Sequence, residues 1–92
     1  MKVTLLTGRV VEIGALKMGQ LRRMTEKVTA GSALDATVNA CVDAMNNGRT
    51  HDSTPLTAAW FEDEFTVAEA NELFAKVAEV SGITLGEAVT IQ

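Results

Sequence analysis

Few side chains in this sequence are of the types that perform catalysis. Cys41 is the only cysteine, and it lies between Ala40 and Val42. A nucleophilic thiol needs solvent exposure and a lowered pKa, whereas a free cysteine in an apolar stretch is typical of a protein core. The sequence therefore predicts that Cys41 is a buried structural residue.

His51 and its neighbour Asp52 are the nearest approach to a metal-ligand pair. Metal sites need several converging ligands, and His51 is the only histidine in the chain. We therefore predict that both residues lie in a solvated loop and that the chain has no metal site.

Glu62, Asp63 and Glu64 form the densest acidic cluster in the chain. Catalytic carboxylates of a glycosidase-like site face each other across a gap, but consecutive residues at a helix end diverge around the helix. The spacing of the glycines matches no phosphate-binding loop. The sequence predicts no catalytic residue and no cofactor, so we expect a protein that is not an enzyme, with an acidic patch that faces solvent or a partner.

The charges are distributed unevenly along the chain. Residues 1–30 carry a net charge of about +4 and residues 31–92 about −8, which gives the formal net charge of −4. Such a protein can pair its two ends within one fold or between neighbouring copies. This pattern favours a binding or assembly protein.

The elements that position these residues begin with a β-hairpin. The runs from Lys2 to Leu6 and from Arg9 to Ile13 are β-prone, and Thr7-Gly8 between them predicts a two-residue turn. Alternation places Val3 and Leu5 on one face of the first run, and it places Val11 and Ile13 on one face of the second.

A helical period follows from Leu16 to Val28. Its predicted apolar side holds Met18, Leu21, Met24 and Val28. The opposite side is basic and holds Arg22, Arg23 and Lys27. Three interpretations of that basic face stay open: a solvated surface, a contact with an acidic protein partner, or contact with nucleic acid, against which the net negative charge argues.

A second helix begins at Ser32, which is a favourable N-cap residue, and ends at Asn47-Gly48. Its apolar stripe holds Leu34, Val38, Cys41, Val42 and Met45. A separate face of small residues lets another helix approach closely, and it holds Ala36, Ala40 and Ala44.

Two further helices are predicted in the second half. Thr54-Pro55 is typical of a helix start, so we expect a short helix over Leu56–Glu64. Its aromatic residues, Trp60 and Phe61, are either both in the core or divided between core and interface.

The last predicted helix opens at Thr66, whose spacing to Glu69 is that of a capping box, and closes at Gly82 in the left-handed conformation. We expect an outer ion pair between Glu72 and Lys76. The apolar residues Ala70, Leu73, Phe74 and Val77 are predicted to lie on one face of this helix.

The fold class predicted by these elements is α+β, mainly α, with an N-terminal β-hairpin followed by three to four amphipathic helices. The 92 residues suffice for one domain with a modest core. We divide residues 1–92 into a hairpin (1–14), a helical part (16–82) and a C-terminal tail (83–92) that is either mobile or briefly extended. The single cysteine predicts a reducing compartment. Without an apolar run that spans a membrane or resembles a secretory signal, we expect the cytoplasm.

Element order and two stretches of sequence resemble the small tail assembly chaperones of long-tailed bacteriophages. The hairpin sequence KVTLLTGRVVEI leads into a helix, and STPLTAAWFEDEFTVAEANELFAKVAEVSGI resembles the closing pattern of that family. In this pattern a short helix follows a Thr or Ser start, and a longer helix ends in Ser-Gly plus an aliphatic residue, here Ser81, Gly82 and Ile83.

The resemblance implies a non-enzymatic chaperone. Members of the family coat the long helical tape-measure protein, bring tail tube subunits to it and often form multimers. Many also have a longer form made by translational frameshifting. The alternatives are a phage structural subunit, such as a head–tail connector or tail-completion protein, and a small DNA-binding regulator.

The charge split predicts a self-interface in a homo-oligomer. We expect the basic residues of one copy to meet the acidic residues of another, with Trp60 and Phe61 as apolar anchors. The residues in this prediction are Arg22, Arg23, Lys27, Trp60, Phe61, Glu62, Asp63 and Glu64.

Overall fold

A computed structural model describes residues 1–49, 54–84 and 90–91 of the chain. These residues adopt the predicted α+β, mainly α fold, with an N-terminal hairpin and four helices. The elements are β1 (Lys2–Thr4), β2 (Val10–Glu12), α1 (Met18–Thr29), α2 (Ala33–Asn47), α3 (Ala58–Glu64), α4 (Val67–Ser81), β3 (Ile83–Thr84) and β4 (Thr90–Ile91).

The strands β1 and β2 pair antiparallel, with Val3 opposite Val11. The predicted alternation is confirmed, since the structure buries Val3, Leu5, Val11 and Ile13, whereas Val10 points to solvent. A lone hairpin is marginally stable in water, so burial of this face against the helices stabilises it.

The hairpin turn differs from the predicted two-residue turn. The amide of Leu5 donates to the carbonyl of Arg9 and the amide of Gly8 donates to the carbonyl of Leu5, both at 2.8 Å. The loop therefore has three residues, Leu6 to Gly8. Gly8 has φ of 90°, and a glycine in the left-handed region closes such a three-residue loop at little steric cost.

Helix α2 is the centre of the fold, because α1, α3 and α4 all pack against it. Its alanine face is buried as predicted, with Ala36, Ala40 and Ala44 each at most 1% exposed. Small side chains let the neighbouring backbones come close to α2. Helix α2 can therefore be contacted by other helices on several sides.

The buried side chains form two clusters. The main core joins the hairpin to α2, α3 and α4, and it includes Val3, Leu5, Val11, Ile13, Val38, Cys41, Val42, Ala44, Met45, Phe61, Phe65, Ala70, Leu73 and Val77. The α1 cluster is smaller and contains Leu21, Met24, Ala36, Ala40 and Ala78. The partly buried Leu16 and Phe74 contact both clusters.

Three positions of the predicted apolar stripes are not buried. Met18 and Val28 of α1 and Leu34 of α2 are exposed. They lie in the terminal turns of their helices, whereas Leu21 and Met24 in the middle of α1 are buried. The helical period of the apolar residues does not show where the neighbouring helix ends. The predicted apolar stripes of α1 and α2 therefore extended too far along these helices.

The start of α3 also differs from the prediction. Thr57, not Thr54, is the N-cap, and its hydroxyl oxygen accepts a hydrogen bond from the amide of Trp60 at 3.2 Å. The side-chain amide of Asn46 binds the backbone of Leu56. Its Oδ1 accepts a hydrogen bond from the Leu56 N–H at 2.8 Å, and its Nδ2 donates one to the Leu56 carbonyl at 3.1 Å. Because these bonds occupy both backbone groups of Leu56, the helix begins two residues after it.

Helix α4 has the predicted ends. The amide of Glu69 donates to the Thr66 hydroxyl at 3.1 Å, the amide of Thr66 donates to the Glu69 carboxylate at 3.0 Å, and Gly82 has φ of 72°. The predicted pair of Glu72 with Lys76 is absent among the described residues. Lys76 instead lies 3.8 Å from Glu79, and Glu72 accepts from the amide of Leu6 at 3.0 Å.

The hairpin and α2 meet at two glycines. The amide of Gly14 donates to the carbonyl of Ala44 at 2.8 Å, near the end of α2. A Cβ atom on Gly48 would lie 2.6 Å from the carbonyl carbon of Ile13. Gly48 therefore follows α2 because the chains approach closely, not because the helix closes in a left-handed conformation, since its φ is −87°.

The strands β3 and β4 pair antiparallel, which agrees with the briefly extended form predicted for the tail. The predictions for His51 and Asp52, and the part of the tail prediction that concerns residues 85–89 and 92, lie outside the described residues.

Candidate functional site

The predicted interface residues lie on two helices, α1 and α3. Arg22 and Arg23 are exposed on α1 and Lys27 is half-buried. Glu62, Asp63 and Glu64 are exposed at the end of α3. Within the described part of the chain, no ion pair joins the basic set to the acidic set. The self-interface stays a prediction, because only a contact between copies tests it.

The two aromatic residues of α3 have different environments. Phe61 is 1% exposed and stacks on Phe65, with ring centroids 4.4 Å apart and planes 12° from parallel. Trp60 is 37% exposed and meets Phe65 edge to face at 5.9 Å. The structure thus divides the pair, with Phe61 in the main core and Trp60 partly on the surface.

An apolar groove lies between the first half of α2 and the junction of α3 with α4. Its volume is about 220 Å³. Leu34 and Val67 stand on its edges at 62% and 66% exposed, although exposure of large aliphatic side chains to water is unfavourable. The other lining residues are Val38, Phe61, Glu62, Phe65, Thr66 and Ala70. Of the acidic cluster, only Glu62 reaches this groove.

A polar cleft of about 330 Å³ lies between α1 and α2. Arg23 and Lys27 line it from α1, whereas Arg22 does not. Asn39 and Asp43 line it from α2. Burial raises the pKa of Asp43 above its usual range, although the charge of Arg23 acts in the opposite direction.

A buried carboxylate that the sequence did not predict links the hairpin to α4. Glu69 is 5% exposed. Its carboxylate accepts hydrogen bonds from the amide of Thr66 at 3.0 Å, the hydroxyl of Thr7 at 2.8 Å and Nε of Arg9 at 3.2 Å. These bonds, led by that of the Thr66 amide, lower the pKa of Glu69 to about 2.

Arg9 completes this link. Its Nη2 donates to the carbonyl of Glu64 at 2.9 Å, and its guanidinium lies 4.3 Å from the ring centroid of Phe65. The cation therefore binds the carboxyl end of α3, where the helix dipole favours positive charge. The capping-box spacing identified Glu69 in the sequence, but nothing in the sequence joined it to Thr7 or Arg9, which lie about 60 residues away.

Cys41 has the buried position that was predicted for it. It is fully buried, its Sγ lies 3.7 Å from the carbonyl of Ala70, and burial raises the pKa of its thiol to about 12. The thiolate form is therefore negligible at neutral pH, and this thiol is not a nucleophile.

Among residues 1–49, 54–84 and 90–91, no group of three histidine, cysteine or acidic side chains is placed to hold a metal ion. In the same residues, no helix combines the length and the apolar character needed to span a bilayer.

Comparison with known proteins assigns no relatives to this chain. No family model, no curated protein and no solved structure matches it.

Proposed function

We propose that this chain is a non-enzymatic tail assembly chaperone of a long-tailed phage, acting in the host cytoplasm. It binds amphipathic helices of the tape-measure protein and aids assembly of the tail tube around them. The sequence resemblance supplies the identity of these partners. The apolar groove is the structural observation that carries the proposal.

The groove has the properties of a helix-binding surface. Its floor consists of side chains already fixed by the main core, so a ligand does not have to order it. Leu34 and Val67 leave apolar surface in contact with water, and a bound helix removes that contact. Docking of the apolar face of a helix into such a groove is a common mode of peptide recognition.

Charge defines the helix that fits. Glu62 lines the groove, and Asp35 is exposed next to Leu34. The Glu62 carboxylate favours a basic residue beside the apolar stripe of the ligand. The occupant that we propose is therefore an amphipathic tape-measure helix with an apolar stripe and a basic flank.

The test is co-expression of the tagged chain with the tape-measure protein of the same phage, followed by measurement of soluble tape-measure protein and of the complex. We expect the wild-type chain to keep the tape-measure protein soluble. Leu34→Asp and Val67→Asp should abolish this effect, because each places a charge in the groove.

Val10→Asp is the matched control. Val10 is similarly exposed, at 61%, but it lies on the hairpin and outside the groove. Circular dichroism of each variant checks that it folds. If Val10→Asp abolishes solubility and the groove variants do not, the groove is the wrong site. If the wild-type chain gives no complex and is instead found in purified virions, the chain is a structural subunit. Retention on DNA, lost at high salt, would identify a regulator.

A further inference from the structure

The cleft between α1 and α2 is a second candidate binding surface, separate from the groove. Its floor is apolar and fixed, since Met24 is 2% exposed and Ala40 is 1% exposed. Its walls are polar, with Arg23 and Lys27 facing Asn39 and Asp43. The volume of about 330 Å³ is at the lower end of ligand pockets, which measure roughly 300–1,000 Å³. The polar walls of the cleft therefore suit charged side chains of a partner.

The cations of this cleft lack partners within the described part of the chain. Neither Arg23 nor Lys27 forms an ion pair there. Asp43 is the one carboxylate among the lining residues, so the cleft keeps a positive charge. Asn39 adds a side-chain amide that has no hydrogen bond to another described residue and can donate to an anion. These groups favour a negatively charged occupant.

The second half of the chain presents such an occupant. Asp63 and Glu64 are exposed and line neither the groove nor the cleft. They lie in the last turn of α3, which contains no basic residue. Negative charge is unfavourable at that end of a helix, so an approaching cation stabilises both carboxylates and the helix.

Arg9 does not supply the cation that these carboxylates need. Its guanidinium binds the backbone carbonyl of Glu64 and the carboxylate of Glu69. The side chains of Asp63 and Glu64 have no ion pair among the described residues. The cations of the cleft do not neutralise Asp63 and Glu64 within the same chain either. Helices α1 and α3 each pack against α2, and no ion pair between described residues joins α1 to α3.

We propose that the cleft between α1 and α2 is the docking surface for a second copy of this chain, whose Asp63 and Glu64 bind Arg23 and Lys27. The contact uses two different surfaces, so it is heterologous and leads either to a closed ring or to an open helical assembly. Arg22 and Glu62 are not part of it. The proposal does not depend on the tape-measure protein.

The test measures self-association of the purified chain by sedimentation velocity over a range of concentrations. We expect oligomers at low ionic strength and their weakening near ~1 M salt, where the Debye length is about 3 Å. Arg23→Glu with Lys27→Glu should weaken association about tenfold or more, and so should Asp63→Lys with Glu64→Lys. The chain that carries all four substitutions should recover it, because the charges are exchanged across the same contact.

Arg22→Glu is the matched control, since it reverses one charge on the same helix but outside the cleft. Glu62→Lys is the corresponding control on α3. If either control weakens association as much as the paired variants, or if the fourfold variant stays dissociated, the assigned contact is wrong. A wild-type chain that is monomeric at all concentrations also overturns the proposal.

Two further sets of variants separate loss of the contact from misfolding and from loss of the groove. Arg23→Gln with Lys27→Gln removes the charges without reversing them, and it replaces the reversal variant if that one does not fold. The groove variants Leu34→Asp and Val67→Asp should associate like the wild type. Loss of tape-measure binding and loss of self-association are therefore distinguishable.

Discussion

The main core and the α1 cluster contain different kinds of side chains. The main core contains two stacked phenylalanines and four hairpin residues, and a buried carboxylate bound by Thr7 and Arg9 lies beside it. The α1 cluster has two large buried side chains, Leu21 and Met24, against three alanines. Buried apolar area sets the main favourable term in folding. We therefore expect α1 to be the less firmly held part of the molecule.

This difference suggests a division of roles. The groove has a floor that the main core fixes, whereas the cleft depends on how α1 lies against α2. Regions with few buried contacts open locally before the whole protein unfolds. Each of the following changes tests the two regions against one another.

The largest loss of stability should come from Phe61→Ala. Phe61 is 1% exposed and stacked on Phe65, and truncation of a buried phenylalanine costs about 3–5 kcal/mol. Equilibrium unfolding in denaturant measures the change. Trp60→Ala is the control, and its loss should be clearly smaller because Trp60 is partly exposed. Equal losses would show that the main core extends over Trp60.

Met24→Ala should have the next largest effect, about 2–3 kcal/mol, at the low end of the range for such truncations. Met24 lies beside the open cleft, so water can enter the space that it leaves. Hydrogen exchange should accelerate in α1 more than in the hairpin. Met18→Ala, at an exposed position of the same helix, should change stability by less than about 0.5 kcal/mol. Equal acceleration throughout the chain would contradict the proposed difference between the regions.

Alanine substitutions at two glycines should change the stability of the fold in opposite directions. At Gly48 the added Cβ would meet the backbone of Ile13 at 2.6 Å, so Gly48→Ala should destabilise by about 1–3 kcal/mol. At Gly19 the nearest atom, Nη1 of Arg23, is 4.0 Å away. Gly19→Ala should stabilise α1 by about 0.5–1 kcal/mol through helix propensity. Thermal unfolding measures both, and a loss from Gly19→Ala would contradict this account.

Glu69→Gln keeps the shape of the side chain but removes the carboxylate that accepts three hydrogen bonds, so it should lower stability at neutral pH and change the pH dependence. The folded-state pKa of about 2 lies below the ordinary value of 4.5. The ionised form therefore contributes stability that is fully present above about pH 4.5 and is lost as the pH falls towards about 2.

Denaturant unfolding between pH 7 and pH 2, compared for the wild type and Glu69→Gln, measures this contribution. The variant should lose less stability over the acidic range. Glu79→Gln, at an exposed position on the same helix, is the control and should follow the wild type. Identical curves for the wild type and Glu69→Gln would show that the hydrogen-bonded carboxylate does not contribute.

Local sequence predicted the elements whose signals lie within a few residues. The capping box of Thr66 with Glu69 and the left-handed Gly82 set the ends of α4 correctly. Alternation identified the inner face of the hairpin, and the alanines of α2 correctly predicted close helix packing. The start of α3 was wrong because Asn46, from another helix, binds the backbone of Leu56.

The sequence by itself determined the fold class, the buried thiol and the separation of basic from acidic residues, because these depend on composition and short-range period. Only the tertiary structure decided which charged residues share a surface. It placed Arg23 and Lys27 in the cleft and Glu62 at the groove, and it joined Glu69 to Arg9. Helix period fixes the direction of a side chain about its own axis, whereas the position and length of the neighbouring elements determine what that side chain contacts.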